Sequence, residues 1–179
     1  MPRQTRSSFR TATLTTSLTS RKLPINAAPR SLPFMRLPNV GMNIGGSVEL
    51  PWGWVKMTQA IHSSQLPDGS YAGVAAGFLL ELGDKKIYFA CDTALFSDMK
   101  MIGEKEIDVA ILPIGDLFTM GPKDSVAATN LIDPKQVLPS HYNTWPPIEQ
   151  DAQAWAAMVK AGSTATPIVL EPGQSHLVE

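Results

Sequence analysis

The 179-residue chain is long enough for one domain, since domains typically contain ~100–200 residues. Hydrophobic residues make up 44% of it and charged residues 17%, and the net charge of −1 gives no argument for binding to nucleic acid or to a membrane surface. No apolar run approaches the ~18–20 residues that span a bilayer. The single cysteine, Cys91, excludes an internal disulfide, and we expect a cytoplasmic protein.

The first 38 residues differ sharply from the rest of the chain. They contain seven basic residues and no acid, and the first acidic residue is Glu49. Their apolar residues follow neither a helical nor a strand period, so they cannot bury enough surface to offset the entropy of ordering. Regular apolar runs begin at Gly41. The sequence therefore predicts a disordered or non-native segment over residues 1–38 and a partial domain over residues 39–179.

Three interpretations of segment 1–38 stay open. It is rich in Arg and Ser and poor in acids, as organelle transit peptides are. It is also compatible with a plain disordered tail, or with a chain start that is not the natural one, such as a shifted reading frame. Four prolines would break a long targeting helix, namely Pro24, Pro29, Pro33 and Pro38.

From Gly41 onward, the patterns predict a hairpin followed by strands that alternate with helices. In chain order we expect strands 54–60, 75–82 and 86–90, a helical turn 99–103, strand 107–114, a helix over 122–131, strand 136–139, a helix over 148–162 and strand 166–171. Gly83-Asp84 makes the tight connection of the hairpin, and Ser97 or Asp98 can cap the helical turn. This order predicts an α/β domain with helices covering a sheet.

Four polar residues each lie just after a predicted strand, where α/β proteins place their sites: His62, Asp92, Asp116 and His141. Imidazole and carboxylate groups are suitable ligands for zinc, manganese or iron. Taken singly, each residue also has an ordinary explanation, because a histidine after a strand is often just hydrogen-bonded and an aspartate often caps a turn. The pattern alone leaves both explanations open.

Five longer motifs resemble one known family. They are Met42-Asn43-Ile44-Gly45-Gly46, Ala60-Ile61-His62-Ser63-Ser64, the stretch from Asp92 to Met99 (DTALFSDM), the stretch from Pro113 to Pro122 (PIGDLFTMGP), and the stretch from Ser140 to Pro146 (SHYNTWP). Together they resemble the UPF0173 family of metal-dependent hydrolases, a branch of the metallo-β-lactamase superfamily related to the UlaG-like lactonases. The resemblance covers nearly everything from Gly41 to the C-terminus.

The resemblance implies the C-terminal half of an αββα sandwich with a metal site at one edge. It implies that His62, Asp92 and His141 are metal ligands, with Asp92 also the catalytic carboxylate that bridges two ions. Asp116, Tyr142 and Asn143 would lie around the ligands or the substrate. The implied cofactor is a divalent metal, zinc first, with manganese or iron as alternatives. The implied reaction is attack of a metal-activated water on a small ester, lactone or phosphodiester.

This sequence departs from the family in two places. Cys91 stands where the family usually has glycine, and the first ligand motif of the superfamily, His-x-His-x-Asp-His, is absent. We therefore expect weak metal binding, little or no hydrolysis by this chain alone, and self-association through an exposed half-core. The competing interpretation is a non-catalytic remnant or binding module that retains the fold.

Overall fold

A computed structural model describes residues 40–178 of the chain. These residues form one seven-stranded sheet in the order β1 to β7. The strands are β1 (Ser47–Leu50), β2 (Gly53–Gln59), β3 (Ala76–Leu82), β4 (Lys85–Phe89), β5 (Val109–Pro113), β6 (Gln136–Ser140) and β7 (Thr166–Pro167). The helices are α1 (Met99–Gly103), α2 (Pro122–Ile132) and α3 (Ala152–Gly162), with a 3-10 turn at Pro146–Ile148. The predicted segment 1–38 lies outside the described residues.

The sheet has an antiparallel part and a parallel part. Strands β1 to β4 pair antiparallel, and β4 to β7 pair parallel. Parallel neighbours need a long crossover connection, and α1, α2 and α3 lie in the three connections between β4 and β7. Because the strands are parallel, the loops that follow β4, β5 and β6 all leave the sheet at one edge. The predicted α/β fold class is confirmed.

One face of the sheet carries the main hydrophobic core. Leu79, Tyr88, Ala110 and Val137 lie opposite one another in register, so their side chains point to the same side of the pleated sheet. The helices cover this side with Met99, Ala128, Ile132, Trp155 and Val159, all of which belong to the same buried cluster. None of the described helices is long and apolar enough to cross a membrane.

The opposite face of the sheet is also apolar. Val55, Leu80, Ile87 and Val109 form one row across it, and Met57, Phe78, Phe89 and Ile111 form the next. We call these eight residues the second face. Phe78, Ile87, Phe89 and Ile111 are only half-buried, whereas Val55, Met57, Leu80 and Val109 are buried. None of the eight belongs to the main core cluster of residues 40–178 that the helices cover. This agrees with the expected half of a sandwich.

Most predicted elements are confirmed, with corrections at their ends. β1 was not predicted, and β7 is two residues long where six were expected. The helix predicted from Ile148 begins at Ala152, because the backbone N–H groups of Gln153 and Ala154 donate to the Asp151 carboxylate, which caps it there. Asp98 precedes α1 as expected, but its side chain makes no capping hydrogen bond.

Asp108 ties the two parts of the sheet together. Its side chain is 7% exposed and lies at the start of β5. One carboxylate oxygen accepts from the backbone of Lys86 at 2.7 Å and the other from the ammonium group of Lys135 at 2.6 Å. Burial works to raise the pKa of Asp108, but these hydrogen bonds outweigh it and hold that pKa below its usual value.

Asp108→Asn should lower the free energy of unfolding by about 1–2 kcal/mol at neutral pH, because it removes hydrogen bonds to a charged group. Since the pKa of Asp108 is lowered, its contribution is complete above the ordinary value of about 4 and is lost as the pH falls through the folded-state value. Urea unfolding at several pH values should therefore show the two proteins converging below about pH 4. Asp84→Asn is the control, because Asp84 is 87% exposed in its pair with Lys85, and it should change stability by less than about 0.5 kcal/mol.

The second face predicts self-association of the isolated chain. Ile111→Lys places a charge among half-buried apolar groups, and it should reduce concentration-dependent association in sedimentation velocity. Met101→Lys on the exposed surface of α1, where Met101 is 63% exposed, is the matched control and should leave association unchanged. A monodisperse monomer of the unaltered chain at high concentration would contradict this prediction.

Candidate metal site

The loops that follow β2, β4 and β5 are joined at a single buried residue, Thr93. The backbone N–H of Ile61 donates to the Thr93 hydroxyl at 2.9 Å, and the hydroxyl donates to the backbone of Ala94. The N–H of Met120 donates to the Thr93 carbonyl at 2.9 Å. The backbone of Ala94 in turn donates to Ile61 at 3.0 Å. Thr93 thereby fixes the position of its neighbour Asp92 relative to three strands.

Asp92 and His141 are brought together at this edge of the sheet. His141 Nε2 lies 3.7 Å from Asp92 Oδ2, and the two side chains are 22% and 27% exposed. Gly115, at the end of β5, lies against His141, and a Cβ at this position would collide with the His141 carbonyl. The parallel register of β5 and β6 therefore places His141 beside Asp92 only because position 115 has no side chain.

The geometry of this pair fits two ligands of one ion. A separation of 3.7 Å exceeds the ~2.7–3.2 Å of a hydrogen bond. Zinc bonds to nitrogen and oxygen are about 2.0–2.2 Å long, so two atoms on one ion lie at most about 4.4 Å apart. The Nδ1 atom of His141 is buried and has no hydrogen-bond partner among the described residues. The pair therefore suits a divalent ion as part of a ligand set.

His62 lies on the neighbouring loop and does not join the pair. Its Nδ1 is 2.7 Å from the carbonyl oxygen of Ser63, which can only accept, so Nδ1 carries the proton and Nε2 keeps the lone pair. That tautomer is suitable for metal binding through Nε2. Within residues 40–178, however, no three His, Cys, Asp or Glu side chains lie close enough to hold one ion. The three-ligand set stays a prediction.

The other three candidate residues lie in the loops beside the pair. Asp116 is exposed and shapes the turn to Met120, since its carbonyl accepts from Thr119 and its N–H donates to Met120. The Asn143 side chain accepts from the backbone of Gln150 at 2.7 Å and so holds its own loop. Tyr142 is half-buried in a cleft next to Glu171, and burial followed by the Glu171 charge raises its pKa.

Backbone strain is concentrated at this edge of the sheet. Seven non-glycine residues in the described part of the chain have positive φ, and five lie in these loops: Cys91, Asp116, Leu117, His141 and Asn143. Such conformations cost about 1–3 kcal/mol each and cluster at functional sites. Cys91, with φ of 56°, occupies a position suited to glycine, and burial raises the pKa of its thiol to about 11. The departure from glycine at position 91 is therefore accompanied by backbone strain.

Sequence reasoning missed two features of the site. The first is Thr93, whose buried hydroxyl joins the loops although the motif that starts at Asp92 did not predict a role for it. Phe118 and Trp145, on the loops after β5 and β6, stack with ring centroids 5.6 Å apart and ring planes inclined by 16°. The available signal was an aromatic residue two positions after Asp116 and two positions after Asn143.

The sequence was compared with known families and relatives. A family model described as "Beta-lactamase superfamily domain" matches residues 3–142. A UPF0173 metal-dependent hydrolase of Thermus thermophilus is 56% identical over 118 residues, which cover 66% of this chain and 53% of that protein. The UPF0173 metal-dependent hydrolase YtkL of Bacillus subtilis is 53% identical over 127 residues, covering 68% and 56%. The chain thus spans about half the length of these relatives.

The fold was compared with solved structures. Igni18, described as a novel metallo hydrolase from the archaeon Ignicoccus hospitalis, superposes with a TM-score of 0.68 at 39% identity. The match covers 75% of this chain and 58% of Igni18. At 39% identity the similarity to Igni18 includes the amino-acid sequence as well as the fold.

Thr93→Val should move Asp92 without changing the size of the side chain. It leaves the N–H of Ile61 without its acceptor, and we expect a loss of about 1–3 kcal/mol in the free energy of unfolding. Hydrogen exchange at the amides of Ile61 and Ala94 should become faster. Thr164→Val is the control, because the exposed Thr164 hydroxyl donates only to Asp133. Unchanged exchange in Thr93→Val would contradict the role given to Thr93.

Proposed function

The chain belongs to the beta-lactamase superfamily domain family, and from this premise we propose that it forms part of the metal centre of a metal-dependent hydrolase. The observation that carries the proposal is the Asp92–His141 pair, held 3.7 Å apart at the ends of parallel strands. The relatives that are 53–56% identical bear the name metal-dependent hydrolase. The proposed substrate is a small ester, lactone or phosphodiester.

His62, Asp92 and His141 are the residues that would hold the metal, which we propose to be zinc. When bound, a divalent ion lowers the pKa of a coordinated water to ~7 and polarises a carbonyl or phosphoryl oxygen. Asp92 has two carboxylate oxygens, which suits it to bridge two ions. His141 Nε2 already faces Asp92. His62 would need to swing its Nε2 toward the pair.

The surrounding residues would position the substrate and the ligands. Thr93 holds the backbone next to Asp92, and Gly115 leaves room for His141. Asp116, Tyr142 and Asn143 lie on the loops around the pair and supply polar groups at its margin. Catalytic zinc usually keeps three protein ligands and one open position. A site with only the pair in place should therefore bind metal weakly.

Zinc retention after equilibrium dialysis tests this proposal. We expect the chain alone to retain clearly less than one zinc per molecule by elemental analysis, and to hydrolyse p-nitrophenyl acetate slowly or not at all. Asp92→Asn and His141→Ala should abolish the retained zinc, because each removes one of the two assembled ligands. Asp98→Asn is the control in the same loop, since Asp98 is exposed and accepts only from Ser97.

Co-expression with the N-terminal half of the Thermus thermophilus relative extends the test. If that half supplies the missing ligands, zinc retention and hydrolysis should rise together and should still require Asp92 and His141. Zinc retention that is unchanged by Asp92→Asn and by His141→Ala would contradict the proposed metal centre. Stoichiometric zinc retention and hydrolysis by the chain alone would instead contradict the expected weak metal binding and low activity. The competing binding-module function predicts no turnover in either preparation.

A further inference from the structure

We propose that Phe118 and Trp145 form a binding site for the aromatic or apolar part of a substrate that carries no negative charge. This inference rests on the proposed function, because it specifies the substrate class of the same site. Among the three proposed substrates it favours a neutral ester or lactone over a phosphodiester. The argument uses the exposure of the two rings, their position and the charge of the loops around them.

The two rings are unusually open to solvent for residues in contact with each other. Phe118 is 49% exposed and Trp145 is 48% exposed, although their rings already stack. Because about half of each residue remains exposed despite the stack, both rings keep surface that a ligand can contact. Aromatic groups prefer an offset stack of this kind, and a further ring can extend it. Leu117, 66% exposed, adds apolar surface beside Phe118.

The stack lies on the two loops that position the Asp92–His141 pair. Phe118 belongs to the loop between Gly115, which lies against His141, and Met120, which is hydrogen-bonded to Thr93. Trp145 follows His141 by four residues in the next loop. The side-chain amide of Gln150 donates to the Gly115 carbonyl at 3.3 Å and joins the two loops. A ligand on the stack is therefore at the margin of the metal site.

The loops hold the rings in a fixed arrangement. Leu117 has φ of 35°, which only a well-determined turn maintains in a leucine. Asn143 accepts from the backbone of Gln150, and its own N–H donates to the carbonyl of Ile148 at 3.0 Å, so the loop that carries Trp145 is closed at both ends. A surface that is ordered before binding loses less entropy when a ligand binds.

The charge of this edge disfavours an anionic substrate. The loops over residues 60–75, 90–98, 114–121 and 140–151 contain no Lys or Arg. They contain six acids: Asp68, Asp92, Asp98, Asp116, Glu149 and Asp151. These outnumber the four positive charges that two divalent ions would bring. The cations that follow these loops most closely are Lys100 in α1, and Lys123 in α2, which is followed directly by Asp124. A phosphodiester would meet no side-chain cation in these loops, whereas phosphate sites usually employ Arg or Lys.

Binding of two small probes to the metal-free full chain tests the proposal. Acetanilide is a neutral, non-hydrolysable analogue of an aryl ester, and phenyl phosphate presents the same ring with negative charge. Saturation-transfer NMR titration, which tolerates self-associated protein, should show that acetanilide binds more tightly than phenyl phosphate. The double variant Phe118→Leu and Trp145→Leu should weaken acetanilide binding by about three- to tenfold, in line with the ~0.5–1.5 kcal/mol of an aromatic pair.

Trp52→Leu is the matched control, because Trp52 is half-buried in the turn between β1 and β2 at the opposite edge of the sheet. It should leave acetanilide binding unchanged. An equal loss of acetanilide affinity in the control and the double variant, or no loss in either, would overturn the proposed binding site. Tighter binding of phenyl phosphate than of acetanilide would overturn the substrate class. Both measurements are made without metal, so a failure of the metal centre appears only in zinc retention and remains distinguishable.

Discussion

The site depends on the parallel pairing of β4, β5 and β6. In this register Ile87 pairs with Val109 and Val109 with Gln136, so the three strands end at one edge. Antiparallel pairing of β5 would send the loop after it, which carries Gly115 and Phe118, to the edge opposite Asp92 and His141. The parallel arrangement requires crossover connections, and α1 and α2 lie in them. Burial of Tyr88 and Leu112 of the sheet against Trp155 and the other core residues of the helices therefore also maintains the geometry of the ligand pair.

Two features of the described residues, the second face and the Asp92–His141 pair, each lack neighbouring groups. The second face has four half-buried apolar side chains and lies outside the main core cluster, and among the described residues the ligand pair has no third ligand beside it. Both would be supplied in an αββα sandwich by a further sheet and its loops. The relatives are about twice as long as the matched region of this chain. Metal affinity and solubility are therefore expected to improve together when such a partner half is provided.

The loops at the site combine strain, acidity and exposed aromatic surface. Strain and exposure have a cost in isolation, since left-handed residues and exposed rings both disfavour the folded state in water. Thr93 and Asn143 provide the hydrogen bonds that maintain this arrangement. A metal ion would bind between Asp92 and His141, and a neutral aromatic ligand would cover the rings. The same loops can thus account for both the proposed hydrolysis and the proposed substrate class.

The sequence by itself determined the main elements, because their signals are local. Gly83-Asp84 specified the hairpin, Pro122 marked the start of α2, and the motif residues identified the positions of Asp92 and His141. β1 could not be predicted, since four residues between Gly46 and Pro51 become a strand only by pairing with β2. The 3.7 Å approach of Asp92 to His141, the stack of Phe118 on Trp145 and the separation of His62 were decided by the tertiary structure. Each depends on distances between loops that are far apart in the chain and meet only because parallel strands end at the same edge.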